Sequence, residues 1–110
     1  MRIVVTRTYE REVSRLLSPD VRADAESAIV ARPKHWPVIP GTGGARKARI
    51  ALPGRGKRGG ARAIYFFAVT DAVIIFFHIY AKNAKKDLTS AQKRDIKAGI
   101  VDLPSPPGRQ

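Results

Sequence analysis

The chain has no cysteine, so its own residues can form neither disulfide bonds nor thiolate ligands. Its longest apolar run, residues 72–79, is interrupted by His78 and is far shorter than the about 20 residues that a membrane-spanning helix needs. Only three apolar residues follow Met1-Arg2, too few for a signal peptide. We therefore expect a cytoplasmic protein with no membrane partner.

Acidic residues are scarce and unevenly placed. The chain has 21 Lys and Arg against 9 Asp and Glu, a formal net charge of +12. No acid lies between Glu26 and Asp71, a stretch that holds many of the basic residues. A surplus of this size attracts polyanions. Because like charges crowded on one sheet face repel each other, we interpret the basic stretch as a binding surface.

The sequence also lacks the residue sets of metal and nucleotide sites. Its two histidines are isolated and its acids are scattered, so we expect no metal and no cofactor. The glycine-rich residues 53–60 do not follow the Gly-x-x-x-x-Gly-Lys-Ser/Thr order and no helix is predicted after them, which argues against a phosphate-binding loop.

The length of 110 residues predicts one domain. Its N-terminal third has the patterns of a strand followed by two helices. β-branched residues at 3–5 favour a strand. Thr8 is a candidate cap for a first helix, whose apolar stripe is Tyr9, Val13, Leu16 and Leu17. Ser18-Pro19 starts a second helix, which ends before Pro33. The short connection makes the two helices a hairpin.

The remainder predicts three strands, at residues 45–52, 61–69 and 73–80, and a last helix that begins with the capping box Thr89-Ser90-Ala91-Gln92. Residues 73–80 are apolar on both faces, so we place them centrally in the sheet. The expected fold is α+β, in the order β-α-α-β-β-β-α, with the helical hairpin packed on a four-stranded, mostly antiparallel sheet. Residues 1–103 form the domain, and the proline-rich residues 104–110 are an expected disordered tail.

Strand alternation divides the basic stretch between two faces. Arg46, Ala48, Ile50 and Leu52 share one face of the strand, and Lys47 and Arg49 share the other. The first face has the better core residues, so Lys47 and Arg49 should point to the open side. Arg62 opens the next strand and should lie close to them if the two strands pair in the antiparallel sense.

Several motifs, in this order, resemble the RelE/HigB superfamily of bacterial toxins, and most of all its HigB-like branch of translational repressors. They are Gly41-Thr42-Gly43-Gly44, Arg46-Lys47-Ala48-Arg49, Gly54-Arg55-Gly56-Lys57-Arg58-Gly59-Gly60, Arg62-Ala63-Ile64-Tyr65-Phe66, Ile79-Tyr80-Ala81-Lys82-Asn83 and Asp87-Leu88-Thr89. The resemblance implies a RelE-like fold and a metal-independent RNA endonuclease that cuts messenger RNA in the ribosome. It also implies a cognate antitoxin, commonly with a helix-turn-helix domain, and binding of operator DNA only through the toxin–antitoxin complex.

The resemblance implies a set of catalytic residues as well. Relatives use two alternating basic residues on the second strand and one at the start of the third, which match Lys47, Arg49 and Arg62. Their C-terminal arginine aligns near Lys82, and their catalytic tyrosine falls near Thr89, so Tyr80 or Lys82 would substitute. The predicted RNA- or ribosome-binding residues are Arg46, Arg55, Lys57, Arg58, Lys85 and Lys86.

The residue chemistry fits cleavage by the 2′-hydroxyl of the RNA. Arginines bind phosphate in a bidentate manner and stabilise transition-state charge, a role for Arg49 and Arg62. Lys47 is the candidate base, because neighbouring cations disfavour its charged form. Tyr80, Lys82 or His78 could supply the acid. Two alternatives remain open: a ParE-like toxin that acts on gyrase without cleaving RNA, and a non-toxic nucleic-acid-binding relative.

Overall fold

The computed structural model describes residues 1–52, 60–84 and 87–101. Three helices and four strands make up this part of the chain. They are β1 (Arg2–Val5), α1 (Arg7–Leu16), α2 (Pro19–Ala31), β2 (Arg46–Ile50), β3 (Ala61–Ala68), β4 (Val73–Ala81) and α3 (Ser90–Val101). The order β-α-α-β-β-β-α agrees with the sequence-based prediction, and the predicted tail lies outside the described residues.

The four strands form one mixed sheet in the order β1-β4-β3-β2. β1 runs parallel to β4, whereas β4 with β3 and β3 with β2 are antiparallel. β4 is therefore an inner strand, as its apolar composition predicted. The α+β class and the mostly antiparallel sheet are confirmed.

The helical hairpin packs on one face of the sheet, and α1 supplies the apolar stripe expected of it. Tyr9 and Val13 are buried in a cluster with Ala48, Tyr65 and Phe76 from three strands. The Tyr9 and Phe76 ring centroids lie 5.0 Å apart. The hairpin thus covers the apolar face of β2, as the alternation of that strand predicted.

The opposite face is not open, contrary to our expectation. Ile96 of α3 is buried there in a second cluster with Ile64, Tyr80 and Leu88. α3 begins at the predicted capping box: the Gln92 N–H donates to Thr89 Oγ1 at 3.1 Å, and the Thr89 N–H donates to Gln92 Oε1 at 3.0 Å. The sheet is therefore covered on both faces. No helix in the described ranges has both the length and the apolar character needed to cross a bilayer.

The start of α1 differs from the prediction, because Thr6 and not Thr8 caps the helix. Thr6 Oγ1 accepts a hydrogen bond from the Tyr9 N–H at 3.1 Å and donates one to the Phe77 carbonyl at 3.1 Å. One hydroxyl therefore pairs with a free N–H at the start of α1 and also links α1 to β4. This second bond is a tertiary contact, which local capping rules do not reveal.

We expect Thr6→Val to lower the free energy of unfolding by about 1 kcal/mol, since it removes a capping hydroxyl and leaves the helix end unsatisfied. Thr8→Val, the same chemical change inside the first turn of α1, should cost less than about 0.5 kcal/mol. Urea denaturation followed by circular dichroism measures both values. A larger loss of unfolding free energy for Thr8→Val than for Thr6→Val would show that Thr6 is not the cap.

Candidate functional site

Three side chains that the sequence predicted as catalytic form a row across the sheet. In the register of the strands, Arg49 of β2 lies opposite Arg62 of β3, and Arg62 lies opposite Tyr80 of β4. Directly opposed residues of antiparallel strands project from the same face, with Cα atoms about 4.5–5.5 Å apart. We call these three residues the Arg49–Arg62–Tyr80 row; it lies on the face that also carries α3.

An irregularity in the β3–β4 pairing contributes to this arrangement. Ile64 pairs with His78, but the next residue, Tyr65, pairs with Phe76, so Phe77 is an extra residue in β4. As a consequence Phe76 and Ile79, three positions apart, both lie in the cluster under the hairpin. Tyr80 then projects from the α3 face, opposite Arg62.

The two arginines of the row differ in their surroundings. Arg62 is only 8% exposed, and its Nη1 donates to the carbonyl of Ala61 at 3.1 Å. Arg49 is exposed. A guanidinium at the base of the site and another at its edge give two sets of donors with the geometry that suits phosphate oxygens.

Lys47 lies two residues before Arg49 on the same strand, and an acid that the sequence analysis missed lies beside it. The Lys47 Nζ and Asp87 Oδ1 atoms are 3.7 Å apart. The Leu88 N–H donates to Asp87 Oδ1 at 2.8 Å, and this bond, followed by Lys47 and Lys93, holds the pKa of the Asp87 carboxyl below its usual range. The site is therefore not a purely cationic cluster. The sequence held no local signal for this pair, because Asp87 is close to Lys47 only in the fold.

Tyr80 has a perturbed phenol. Burial raises the pKa of Tyr80 above the ordinary value of 10.0, and the nearby Asp87 raises it further, whereas the Arg62 guanidinium lowers it. Burial and the carboxylate outweigh the guanidinium. The phenol consequently keeps its proton throughout the neutral range, and its oxygen is buried.

The structure does not bring every predicted residue to the row. Lys82 follows the end of β4 and is exposed; its N–H donates to the Gly60 carbonyl at 3.0 Å. The Arg46 guanidinium is bound instead to carbonyls of the segment before β2. His78 is held by α1, since its Nδ1 lies 3.2 Å from Glu12 Oε1, and its side chain is 16% exposed.

Part of the predicted RNA-binding set belongs to segments outside the described ranges. Five cations lie outside the described residues: Arg55, Lys57, Arg58, Lys85 and Lys86. Within residues 1–52, 60–84 and 87–101, no three His, Asp or Glu side chains converge as a metal site would require.

The chain resembles known proteins both in sequence and in fold. Residues 40–101, more than half of the chain, match the family described as the RelE toxin of the RelE/RelB toxin-antitoxin system. The matched segment contains β2, β3, β4 and α3, and so all of the row.

Two solved structures from E. coli share the fold. The free toxin RelE, in a double-mutant form, superposes with a TM-score of 0.58 at 14% identity, covering 93% of this chain and 97% of that one. The chain matched from the intact RelBE toxin-antitoxin complex gives a TM-score of 0.53 at 14% identity, covering 71% of this chain and 92% of that one. The superpositions establish the fold, and the family match, which spans the row, shows that this chain belongs to the RelE toxin family.

Proposed function

We propose that this protein is the toxin of a type II toxin–antitoxin system and that it cleaves messenger RNA on the ribosome. The observation that carries the proposal is the Arg49–Arg62–Tyr80 row: two guanidinium groups and a protonated phenol side by side on one face of an acid-poor sheet. Such a set fits a phosphodiester, because it supplies donors for the phosphate oxygens and a proton for the leaving group.

In the proposed reaction the 2′-hydroxyl of the RNA attacks the adjacent phosphorus, and the bond from phosphorus to the 5′-oxygen breaks. Arg49 and Arg62 bind the non-bridging oxygens, whose negative charge grows in the transition state. A cyclic 2′,3′-phosphate and a 5′-hydroxyl end are the products.

Proton transfer is assigned to Tyr80, Lys47 and Asp87. Tyr80 gives its proton to the departing 5′-oxygen, which its raised pKa allows at neutral pH. The sequence alone pointed to Lys47 as the base. An ammonium has no lone pair for a proton, so we propose that the 2′-proton goes to the Asp87 carboxylate, 3.7 Å from Lys47 Nζ, while Lys47 stays charged beside the phosphate.

A cognate antitoxin is the second part of the proposal. One of the structures with this fold is a chain of the RelBE toxin-antitoxin complex. The net charge of +12 favours an antitoxin whose toxin-binding segment is acidic. We propose a helix-turn-helix antitoxin that also carries the complex to operator DNA.

Expression of the wild-type chain without an antitoxin should stop growth and produce cut transcripts, which primer extension detects. Arg62→Lys keeps the charge but removes the bidentate donor geometry, and we expect it to lower the cleavage rate about 10²-fold. Arg11→Lys, on the exposed side of α1, is the matched control and should remain fully toxic.

Each other result has a definite meaning. Growth arrest with intact transcripts and broken chromosomal DNA would replace the proposal by a gyrase-directed toxin. Harmless expression of a folded wild-type chain would make it a non-toxic relative. Undiminished cleavage by Arg62→Lys would remove Arg62 from the site.

The Tyr80 assignment makes a separate prediction. Tyr80→Phe deletes only the hydroxyl, and we expect the single-turnover cleavage rate to fall about 10²- to 10⁴-fold with little change in ribosome binding. Because the pKa of Tyr80 is raised, the wild-type rate should show no loss of a general acid between about pH 6 and pH 9. A rate that falls within this range, or an active Tyr80→Phe variant, would assign the proton to another group.

A further inference from the structure

The segment that joins α2 to β2 is fixed by two side chains from the sheet. The Tyr65 hydroxyl donates to the Pro33 carbonyl at 2.7 Å. Arg46 Nη1 donates to the Lys34 carbonyl at 3.2 Å and to the Trp36 carbonyl at 2.7 Å. Tyr65 is fully buried, so these bonds anchor a loop to the core. Trp36 of this segment packs against the core, whereas Arg32, Lys34 and His35 are exposed.

Those side chains line a shallow cleft of about 350 Å³, which we call the connector cleft. Its lining residues are Arg32, Pro33, Lys34, His35 and Phe67. None of these described residues is acidic, and the three that carry positive or titratable groups are exposed. The His35 ring stands edge-on to Trp36, with the centroids 4.8 Å apart. The connector cleft thus combines cations with one aromatic wall.

The connector cleft is separate from the Arg49–Arg62–Tyr80 row. Phe67 packs against the hydrophobic cluster beneath the helical hairpin, on the sheet face away from α3. It lies five residues beyond Arg62 on β3, roughly 17 Å along the strand. No residue that we place in the reaction contributes to the cleft.

We propose that the connector cleft is a second RNA-binding site, which takes a backbone phosphate on Arg32 and Lys34 and an unstacked base against Phe67. The partner is single-stranded RNA, an identification that rests on the proposed function. Single strands are bound by this combination of cations along the backbone and an aromatic surface for a base. An acidic protein segment would use the cations but gains nothing specific from the aromatic wall. Because the segment is already fixed, little conformational entropy is lost on binding.

The role of Arg46 changes with this proposal. From the sequence it was a predicted RNA contact, and in the structure it holds the loop that carries the contacts. Arg32 and Lys34, which the sequence analysis did not select, become the residues that touch RNA.

The test uses a fluorescently labelled 2′-O-methyl RNA oligonucleotide, which cannot be cleaved by 2′-hydroxyl attack, and measures binding by anisotropy over a range of salt concentrations. We expect Arg32→Gln/Lys34→Gln to weaken binding about tenfold and to reduce the salt slope by about 0.7, the value for the one phosphate that the two residues share. Phe67→Leu should weaken binding several-fold without changing the slope. The control Arg11→Gln/Arg15→Gln removes the same charge from α1 and should change the affinity less than about twofold.

Equal losses in the cleft variant and the α1 control would overturn the proposal, because binding would then follow net charge alone. An unchanged RNA affinity with weakened antitoxin binding would make the cleft a protein contact and overturn it as well. Thermal melting checks each fold, and the exposed single change Lys34→Gln serves if the double variant unfolds. Ribosome-dependent cleavage is assayed separately: intact cleft binding without cleavage would refute the proposed function and leave this inference standing.

Discussion

The site depends on the placement of Arg49 directly opposite Arg62, although the two positive charges repel each other. Like charges at opposed positions of antiparallel strands destabilise a sheet by up to about 1 kcal/mol. The register is nevertheless fixed, because the same two strands pair Ala48 with Ala63 and Ile50 with Ala61 on the other face. All four of these side chains are buried under the helical hairpin. A slip of one residue would carry them to the wrong face, so the core holds the arginines together.

Helix α3, on the sheet face opposite the helical hairpin, positions the rest of the site. Ile96 packs α3 against Ile64 and Tyr80, and this contact buries the phenol that the row requires. The chain that enters α3 brings Asp87 to Lys47. The α3 face therefore has an apolar half that supports the helix and a polar half that carries the two arginines. An anion bound there would also relieve the repulsion between the two arginines.

Regular elements could be predicted from the sequence, and irregular ones could not. β2 alternates without a bulge, so the outward positions of Lys47 and Arg49 and the inward positions of Ala48 and Ile50 were evident. β4 contains an extra residue, and a period of two cannot describe a strand in which Phe76 and Ile79 share a face. The cap was misplaced at Thr8 because the choice of Thr6 is decided by the carbonyl of Phe77, far along the chain. Asp87 was missed for the same reason, since no local pattern encodes its contact with Lys47.

The most direct test of this account measures activity and stability together on Arg49→Gln. This variant removes one member of the opposed pair at an exposed position, where it should not disturb the core. We predict that single-turnover cleavage of messenger RNA on purified ribosomes falls about 10²-fold. We also predict that the midpoint of thermal unfolding stays the same or rises. Cleavage at the wild-type rate, or a loss of activity that merely follows a loss of folded protein, would contradict the claim that the strand register holds two repelling arginines together for catalysis.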